Sequence, residues 1–369
     1  MFGEIKRLWR DTDKFMLLIV TFACLFGIIA ILSATRVYET NKFVIVQGAA
    51  FIAGIVAMFA VMVVDYNSYA AIAKHLYIVS AILLIIVLFV GTGGDQAGSQ
   101  SWIRFAGVGV QPSEIVKILF IITFAAHLSA VEEYINSPLP LLGLLAHGGF
   151  LIFLVLLQPD YGTALVYMFI FICMLFSAKI SYKYLIGAIC AFLPVSTIMW
   201  LFVLKPYQKD RFFNFLNPER DMLGTGYQVV QSKVAIGSGG IVGKGLFHGA
   251  LVQTGTLPAS HTDFIFSSIA EEMGLVGCTI VIGFLFCIIY KCIHTAKTAR
   301  TSMGSYICIG VAAMFIFHVY ENVGMCMGLM PVTGIPLPFF SSGGSSLVTN
   351  LIAVGLVMNV WSRRKTVGF

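Results

Sequence analysis

Long apolar segments separated by polar loops run through the whole chain. Ten of these segments predict membrane-spanning helices, because their lengths suit a hydrocarbon core about 30 Å thick. Inside such a core each segment must satisfy its own backbone hydrogen bonds, so a helix is the expected spanning form. The predicted spans are approximately 15–34, 43–64, 76–90, 113–130, 141–157, 163–178, 184–204, 266–293, 306–329 and 346–361. The pattern predicts an all-α polytopic membrane protein with ten transmembrane helices.

The composition agrees with this prediction. Of the 369 residues, 59% are hydrophobic and 11% are charged, whereas soluble domains are usually about 45–50% apolar. The first span follows a charged start without a convincing cleavage motif, so we expect it to be retained. The eight cysteines lie inside or at the edges of apolar segments and form no C-x-x-C pair. They are therefore expected to be small buried hydrophobes, not metal ligands or disulfide partners.

Basic residues are distributed unevenly between the short loops on the two sides of the predicted bundle. One side, which includes both ends of the chain, carries Lys6, Arg7, Arg10, Lys14, Lys74, Lys179, Lys183, Lys291, Lys297, Arg300, Arg363, Arg364 and Lys365. The short loops on the other side hold only Arg36, Lys42 and Arg104. The positive-inside rule predicts that both termini are cytoplasmic. Orientation thus explains the net charge of +6, and no nucleic-acid partner is indicated.

The segment 205–262, between the seventh and eighth predicted spans, then faces outward and is too long for a plain connection. It contains glycine-rich stretches at 237–240 and 243–245 with amphipathic pieces such as 227–236. We expect helices there that lie at the interface or dip back into the protein. Two further outward loops, 91–112 and 331–346, are rich in glycine and proline. The polar chemistry is thus expected on the outer face of a single transmembrane domain, 1–369.

The most informative polar residue is Asp263, a carboxylate at the point where an apolar helix resumes after the long loop. A carboxylate at such a boundary needs a neutralising partner or a function. Ser260 and Asp263 fit a helix capping box. Alternatively, partial desolvation would raise the pKa of Asp263 and make it a general base. Glu271 follows at an angle of about 80° on a helical period, so Glu271 and Glu272 could tune or replace it.

Two further charged groups could line an outward cavity. Glu114 and Lys117 are three residues apart, so they share a helix face and can pair. They are either a structural ion pair or the charged lining of a site in which Lys117 neutralises a phosphate. Arg211 lies in the basic entry to the long loop, where Lys205 and Lys209 could help it to clamp an anion.

Other polar positions allow both structural and chemical interpretations. Asp160, between the fifth and sixth spans, fits a helix cap. His318 and Glu321 form a polar pair beside Asn322 within the ninth span. Such a pair serves either in a proton relay or as an interhelical hydrogen-bond anchor, and we favour the anchor. No P-loop, dinucleotide fingerprint or H-E-x-x-H motif is present, so ATP hydrolysis, nicotinamide chemistry and zinc proteolysis have no residues to support them.

Taken in order, several motifs resemble one known family. They are SWIR at 101–104, QPSEIVK at 111–117, QPDYGTA at 158–164, the loop motif at 215–245, HTDFIFSSIAEEMG at 261–274 and GLMPVTGIPLPFFSSGGSS at 328–346. The set resembles the SEDS proteins (shape, elongation, division and sporulation) from end to end. Within the loop, the form QSK-x-AIGSGG-x-x-GKG resembles the RodA branch more than the division branch, FtsW.

This resemblance implies both a fold and an activity. The family has ten transmembrane helices with a large extracellular loop between the seventh and the eighth. Its members polymerise lipid II into β-1,4-linked glycan strands at the outer face of the bacterial cytoplasmic membrane, and undecaprenyl diphosphate is the leaving group. The implied role of a RodA-like member is cell-wall elongation and cell shape. The implied partners are a class B penicillin-binding protein, the elongation machinery and membrane lipid.

The resemblance also implies roles for individual residues. The catalytic aspartate of the family matches Asp263, its cavity acid and lysine match Glu114 and Lys117, and its loop arginine matches Arg211. Substrate contacts are expected from the flanking motif residues Trp102, Arg104, Gln111, Ser113, Gln158, Tyr161, His261 and Thr262. A divalent cation, Mg or Mn, stays open as a cofactor. The alternatives are a lipid II flippase, a non-catalytic scaffold, and a division or sporulation paralogue with the same chemistry.

Overall fold

The computed structural model describes residues 12–93, 101–105, 108–184 and 224–364, together with residue 10 and scattered positions between 186 and 217. In this part of the chain, eight helices are long and apolar enough to cross a membrane, and a ninth apolar helix has 17 residues. These nine helices coincide with nine of the ten predicted spans. The remaining predicted span, 184–204, lies mostly outside the described residues, as does most of the following segment up to 223.

Eleven α-helices are described. They are α1 (Lys14–Ala34), α2 (Lys42–Val63), α3 (Ser68–Val90), α4 (Pro112–Val131), α5 (Pro138–Leu156), α6 (Tyr161–Ser177), α7 (Thr225–Gly239), α8 (Ala250–Gln253), α9 (Ile265–Thr298), α10 (Ser302–Cys326) and α11 (Gly344–Ser362). Short 3-10 turns at Arg36–Tyr38 and Glu132–Tyr134 follow α1 and α4. The protein is therefore a multi-pass helical membrane protein.

The loop before α4 departs from the all-α prediction. It contains an antiparallel hairpin of β1 (Ile103–Phe105) and β2 (Val108–Val110), in which Ile103 pairs with Val110. Thr92 extends the pairing through a bridge to Trp102. Branched and aromatic residues favour a pleated backbone even in a short segment, and a search for long apolar runs does not detect such a short element.

Three helices form the centre of the bundle. Most of α4, α10 and α11 is buried, and 72% of the apolar stretch of α10 is covered by other parts of the protein. In contrast, only 17% of the corresponding stretch of α3 is covered, as expected for a helix whose sides face lipid. Of the charged residues predicted for the site, Glu114 and Lys117 lie on α4, so the fold holds these two in its interior.

In the long loop, α7 packs against α9 and α10. The hydroxyl of Ser232 is 2.6 Å from the hydroxyl of Ser267 and donates to the carbonyl of Cys326 at 2.7 Å. A Cβ atom on Gly239 would lie 1.9 Å from the carbonyl oxygen of Ala270. Only glycine allows so close a contact between the two helices.

Helix α9 is broken at Gly274, whose φ of 63° and ψ of −158° are not helical. The loop after α7 enters this break. The amides of Leu275 and Val276 donate to the carbonyls of Gly240 and Ile241, at 3.0 and 3.1 Å. Backbone groups that the break removes from the helix are thus satisfied by the loop.

We expect Gly355→Ala to destabilise the contact between α2 and α11. A Cβ atom on Gly355 would lie 2.7 Å from the carbonyl oxygen of Met58, and helix backbone cannot move aside without disturbing its own hydrogen bonds. Overpacking of this kind typically costs about 1–3 kcal/mol. Thermal unfolding in detergent should show a Tm several degrees lower than that of the wild type.

Gly48→Ala is the matched control, because Gly48 also lies in α2 but has open space around its Cβ position. Alanine is favoured over glycine in a helix interior by up to about 1 kcal/mol, so the Tm should stay unchanged or rise. Equal Tm values for the two variants would contradict the close packing at Gly355.

Candidate active site

Asp263 lies in a turn directly before α9. The amides of Thr262 and Phe264 both donate to the carbonyl of Ala259 at 3.1 Å. Helix α9 begins at Ile265 with Phe264 in the N-cap position and without a side-chain capping hydrogen bond. The capping-box interpretation of Asp263 is therefore wrong. Ser260, its proposed partner, instead donates through its hydroxyl to the carbonyl of Ala34 in α1.

The Asp263 carboxylate is half-buried. Among the described residues it has no hydrogen-bonding or ion-pairing partner, and burial raises the pKa of Asp263 to about 6. Gly334, with a φ of 75°, lies opposite, and a Cβ atom on Gly334 would be 3.5 Å from Oδ2 of Asp263. A carboxylate with a pKa near neutrality, ionised and unpartnered, is suited to accept a proton.

Glu114 and Lys117 form a buried ion pair at the start of α4. The Lys117 ammonium is 2.7 Å from Oε1 of Glu114, and the Lys117 side chain is only 1% exposed. Glu114 lies in the first turn, after Pro112, where the helix dipole favours a negative charge. The predicted pairing of these two residues is confirmed.

Helix α10 connects this ion pair to Asp263. Nε2 of His318 is 3.0 Å from Nζ of Lys117. One turn later, the side-chain amide of Asn322 donates to the carbonyls of Asp263 at 2.8 Å and Ile335 at 2.9 Å. Residues four apart on a helix are neighbours on one face, so Lys117 and the Asp263 turn lie beside the same short stretch of α10.

The expected pair between His318 and Glu321 is not formed, and this prediction needs correction. Nδ1 of His318 is 3.1 Å from the carbonyl oxygen of Pro336, and Oε1 of Glu321 accepts from the hydroxyl of Thr333 at 2.7 Å. Both side chains, like Asn322, hold the segment 333–336 against α10. They act as hydrogen-bond anchors, which is the interpretation favoured from the sequence.

The residues before Asp263 are fixed by two other parts of the chain. The hydroxyl of Ser341 donates to the carbonyl of Thr262 at 2.7 Å. The ring of His261 packs against Tyr38 and Phe43, with centroid distances of 5.5 and 4.5 Å. Burial lowers the pKa of His261, so this ring is neutral at physiological pH. The Asp263 turn is therefore held from both sides.

Hydrogen bonds between α4 and α6 fix the start of α4. The side-chain amide of Gln111 donates to Oδ2 of Asp160 at 2.9 Å, while Oδ1 accepts from the amide of Thr163. Asp160 therefore caps α6 as predicted. The hydroxyl of Tyr167 donates to the carbonyl of Ser113 at 2.7 Å. Gln111 and Ser113 thus lie next to the Glu114–Lys117 pair.

The other residues that were expected to bind substrate make their described contacts elsewhere in the chain and not with Asp263. The side-chain amide of Gln158 donates to the carbonyl of Leu84 in α3. Trp102 packs over Gly109, and the backbone of Arg104 pairs with the same residue in the hairpin. Tyr161 begins α6. Arg211 lies outside the described residues.

Glu271 and Glu272 bind other parts of the chain instead of Asp263. Glu271 accepts hydrogen bonds from Nζ of Lys244 and from the amides of Leu251 and Val252 in α8. Glu272 accepts from the hydroxyl of Ser33 and the side-chain amide of Gln253. The angular argument that linked Glu271 to Asp263 fails because Asp263 precedes the helix. These two carboxylates attach the long loop to α9 and α1.

Two cavities lie near the loop but not at Asp263. One, of about 380 Å³, includes Arg36, Glu39 and Phe247 in its lining, and the other, of about 220 Å³, lies between α1 and α9 around Phe26 and Ile269. Neither is lined by Asp263 or Lys117. The candidate site is therefore identified from its side chains and their hydrogen bonds, and not from a cavity.

The described residues do not form a metal site on their own. Within that part of the chain, no group of three or more His, Cys, Asp or Glu side chains is placed to hold an ion. Magnesium is usually bound by one or two carboxylates together with substrate phosphates, so these residues do not fit a metal cage made by the protein alone.

The fold and site together define a class of protein. The class is that of polytopic membrane proteins with a carboxylate, here Asp263, and a buried ammonium, here Lys117. Both are held where α4 and α9 begin and α10 ends. The family model described as "Cell cycle protein" (FtsW/RodA/SpoVE) matches residues 13–366. The chain therefore belongs to the FtsW/RodA/SpoVE, or SEDS, family, and the family indicated by the motifs is confirmed.

Individual relatives cover nearly the whole chain. It is 35% identical over 367 residues (95% of this chain, 93% of the relative) to a probable peptidoglycan glycosyltransferase FtsW from Trichlorobacter lovleyi. Over 323 residues (85% of this chain, 84% of the relative) it is 37% identical to the peptidoglycan glycosyltransferase MrdB of Escherichia coli K12. Both of these relatives are named as peptidoglycan glycosyltransferases, so the family is one of enzymes.

The fold also matches a solved structure. One chain from a study entitled "Structural coordination of polymerization and crosslinking by a peptidoglycan synthase complex" superposes with a TM-score of 0.81 at 30% identity. The match covers 96% of this chain and 98% of that chain. The arrangement of helices described above is therefore shared with that solved chain.

We expect Glu271→Ala to release the long loop from α9. The substitution removes the acceptor of one ammonium and two backbone amides, and hydrogen bonds to a charged group contribute about 1.5–3 kcal/mol each. Because Lys244 is 31% exposed, its share is reduced by solvent, and we expect a loss of about 3 kcal/mol in total. Hydrogen exchange at the Leu251 and Val252 amides should accelerate.

Glu133→Ala is the control, because Glu133 is exposed in the 3-10 turn that follows α4. A surface substitution of this kind changes stability by less than about 0.5 kcal/mol. Unchanged exchange rates in Glu271→Ala would show that the carboxylate does not hold α8.

Proposed function

We propose that the chain polymerises lipid II into β-1,4-linked glycan strands, with Asp263 as the general base. In this reaction Asp263 accepts the proton of the acceptor 4-hydroxyl while that oxygen attacks the anomeric carbon of the donor. The bond from this carbon to undecaprenyl diphosphate breaks, and the configuration is inverted. The observation that carries the proposal is a half-buried carboxylate without a partner among the described residues, whose pKa is about 6.

One carboxylate suffices because diphosphate is a good leaving group. A glycosidase needs a second carboxyl group to protonate its leaving alcohol, and no such proton is required here. The negative charge on the departing diphosphate must nevertheless be offset, and fixed cations in a water-poor site do this effectively. Lys117 is linked to the Asp263 turn through His318 and Asn322 of α10, and Arg211 is the second candidate.

The proposed orientation places this chemistry on the outer face of the bacterial cytoplasmic membrane. The distribution of lysine and arginine predicts cytoplasmic termini, which puts the loop before Asp263 outside. The attacking sugar and the lipid-linked donor both meet there at headgroup level. A lipid tail longer than the bilayer is thick must enter from the side, between helices.

The biological role proposed here is cell-wall elongation, as in the RodA branch. It rests on the loop form QSK-x-AIGSGG-x-x-GKG and on the likeness to MrdB, while the likeness to FtsW proteins supports the division or sporulation role as the alternative. The matched structure comes from a complex that couples polymerisation with crosslinking. We infer a crosslinking partner for this chain, a class B penicillin-binding protein.

Asp263→Asn should abolish polymerisation with little change in fold, because the amide has the same shape but cannot accept the proton. General-base assistance is typically worth about 10²–10⁴-fold. Purified protein in detergent, supplied with lipid II with and without a chelator, is assayed for glycan polymer. Glu133→Gln is the charge-matched control and should polymerise at the wild-type rate.

The same assay separates the competing functions. A flippase yields no polymer from the wild-type protein, because detergent solution has no membrane sides. A scaffold that only activates its partner yields polymer only with that partner present and with Asp263 dispensable. Polymer formed by Asp263→Asn near the wild-type rate would end the general-base proposal.

Polymerisation should also lose rate in acid. Asp263 acts as a base only when ionised, so the active fraction falls as the pH drops through the Asp263 pKa of about 6. We expect kcat/KM to be level above pH 7 and to decrease about tenfold per pH unit well below 6. Circular dichroism at each pH confirms the fold. A level profile from pH 5 to 7 would contradict this role.

A further inference from the structure

The two ring nitrogens of His318 have different partners, and these partners determine where the ring carries its hydrogen. The carbonyl oxygen of Pro336, 3.1 Å from Nδ1, can only accept a hydrogen bond. The hydrogen is therefore on Nδ1. Nε2 then presents a lone pair to the Lys117 ammonium at 3.0 Å, and an ammonium can only donate. His318 is a neutral imidazole with a fixed tautomer.

The ammonium of Lys117 has three hydrogens but only two acceptors among the described residues. Oε1 of Glu114 takes one hydrogen at 2.7 Å, and Nε2 of His318 takes the second. Oε2 of Glu114 is buried and has no partner in the described part of the chain. Without His318, the ammonium would be free to turn toward this second oxygen and be neutralised more completely by Glu114.

We propose that His318 is a positioning residue, which holds the Lys117 ammonium away from full pairing with Glu114 so that its third hydrogen is available to an anionic oxygen of the substrate. The substrate class is an alkyl diphosphate, and the inference rests on the proposed function. Nδ1 of His318 is hydrogen-bonded to the carbonyl of Pro336. His318 therefore fixes the Lys117 ammonium relative to the segment 333–336. Gly334 of that segment lies against Asp263, so the Asp263 carboxylate and the Lys117 ammonium are both positioned relative to the segment 333–336.

Two amide substitutions separate the two contacts of His318. The amide of glutamine reaches as far as Nε2, so His318→Gln retains an acceptor for Lys117 and loses the contact with Pro336. The shorter amide of asparagine takes the place of Nδ1, so His318→Asn retains the donor to Pro336 and loses the contact with Lys117. His318→Phe fills the space but makes neither hydrogen bond.

We expect His318→Asn and His318→Phe to lower kcat for polymerisation by about 10–100-fold, a range typical of residues that orient a functional group. The KM for lipid II should change less than kcat, because the diphosphate is already anionic when bound but gains further charge in the transition state. His318→Gln should stay within about threefold of the wild type. The Tm values of all three variants report any purely structural effect.

The positioning role is overturned if His318→Gln and His318→Asn lose activity to the same extent. It is also overturned if the loss of activity correlates with the decrease in Tm and not with the loss of the acceptor that Nε2 provides. Lys117→Met distinguishes this inference from the proposed function. A strong loss in Lys117→Met with a normal rate in His318→Asn rejects the role of His318 and leaves that of Lys117 intact. In the Lys117→Met background, His318→Asn should add less than about a threefold further loss.

Discussion

The buried ion pair between Glu114 and Lys117 constrains the rest of the structure. Taking two charges out of water costs several kcal/mol each, and their attraction compensates only when the geometry is good and further hydrogen bonds are made. The start of α4 meets this requirement with its helix dipole, with His318 on α10 and with the bonds from α6 that fix its first turn. Three helices must therefore meet at one place, which makes α4 and α10 the centre of the bundle.

Asp263 has the opposite environment, and the contrast explains how one site can contain both groups. Its backbone is held by Asn322 and its turn by Ser341, yet its carboxylate is left without a partner among the described residues. Hydrogen bonds to the backbone fix the position of a side chain without neutralising it. The fold thus places an unpartnered carboxylate and a partly neutralised cation beside the same stretch of α10, and the proposed transfer of a sugar from a diphosphate would use both.

Much of this arrangement could be predicted from the sequence because it is local. Apolar length located nine helices, although α3 begins at Ser68, eight residues before its predicted start, and the spacing of Glu114 and Lys117 predicted their ion pair. The ordered motifs identified the family and pointed to Asp263. Such features depend on neighbours along the chain, where periodicity and spacing are informative.

The parts that sequence reasoning missed depend on contacts between distant residues. His318 lies three residues from Glu321, but its partners are Lys117 and Pro336, which no local pattern indicates. Ser260 and Asp263 matched a capping motif, but the turn that ends at Phe264 delays the start of α9. Glu271 and Glu272 lie near Asp263 in sequence, yet they bind a loop and a helix from elsewhere in the chain.

The break at Gly274 divides α9 into two mechanical units. Residues 265–273, which follow Asp263, are joined to the loop by backbone hydrogen bonds at Glu271 and Glu272, whereas the longer part from 275 to 298 continues across the membrane. The same loop also accepts hydrogen bonds from the amides of Leu275 and Val276, so it clamps both sides of the break. The angle between the two parts of the helix is therefore set by the loop that enters the break and not by the helix alone.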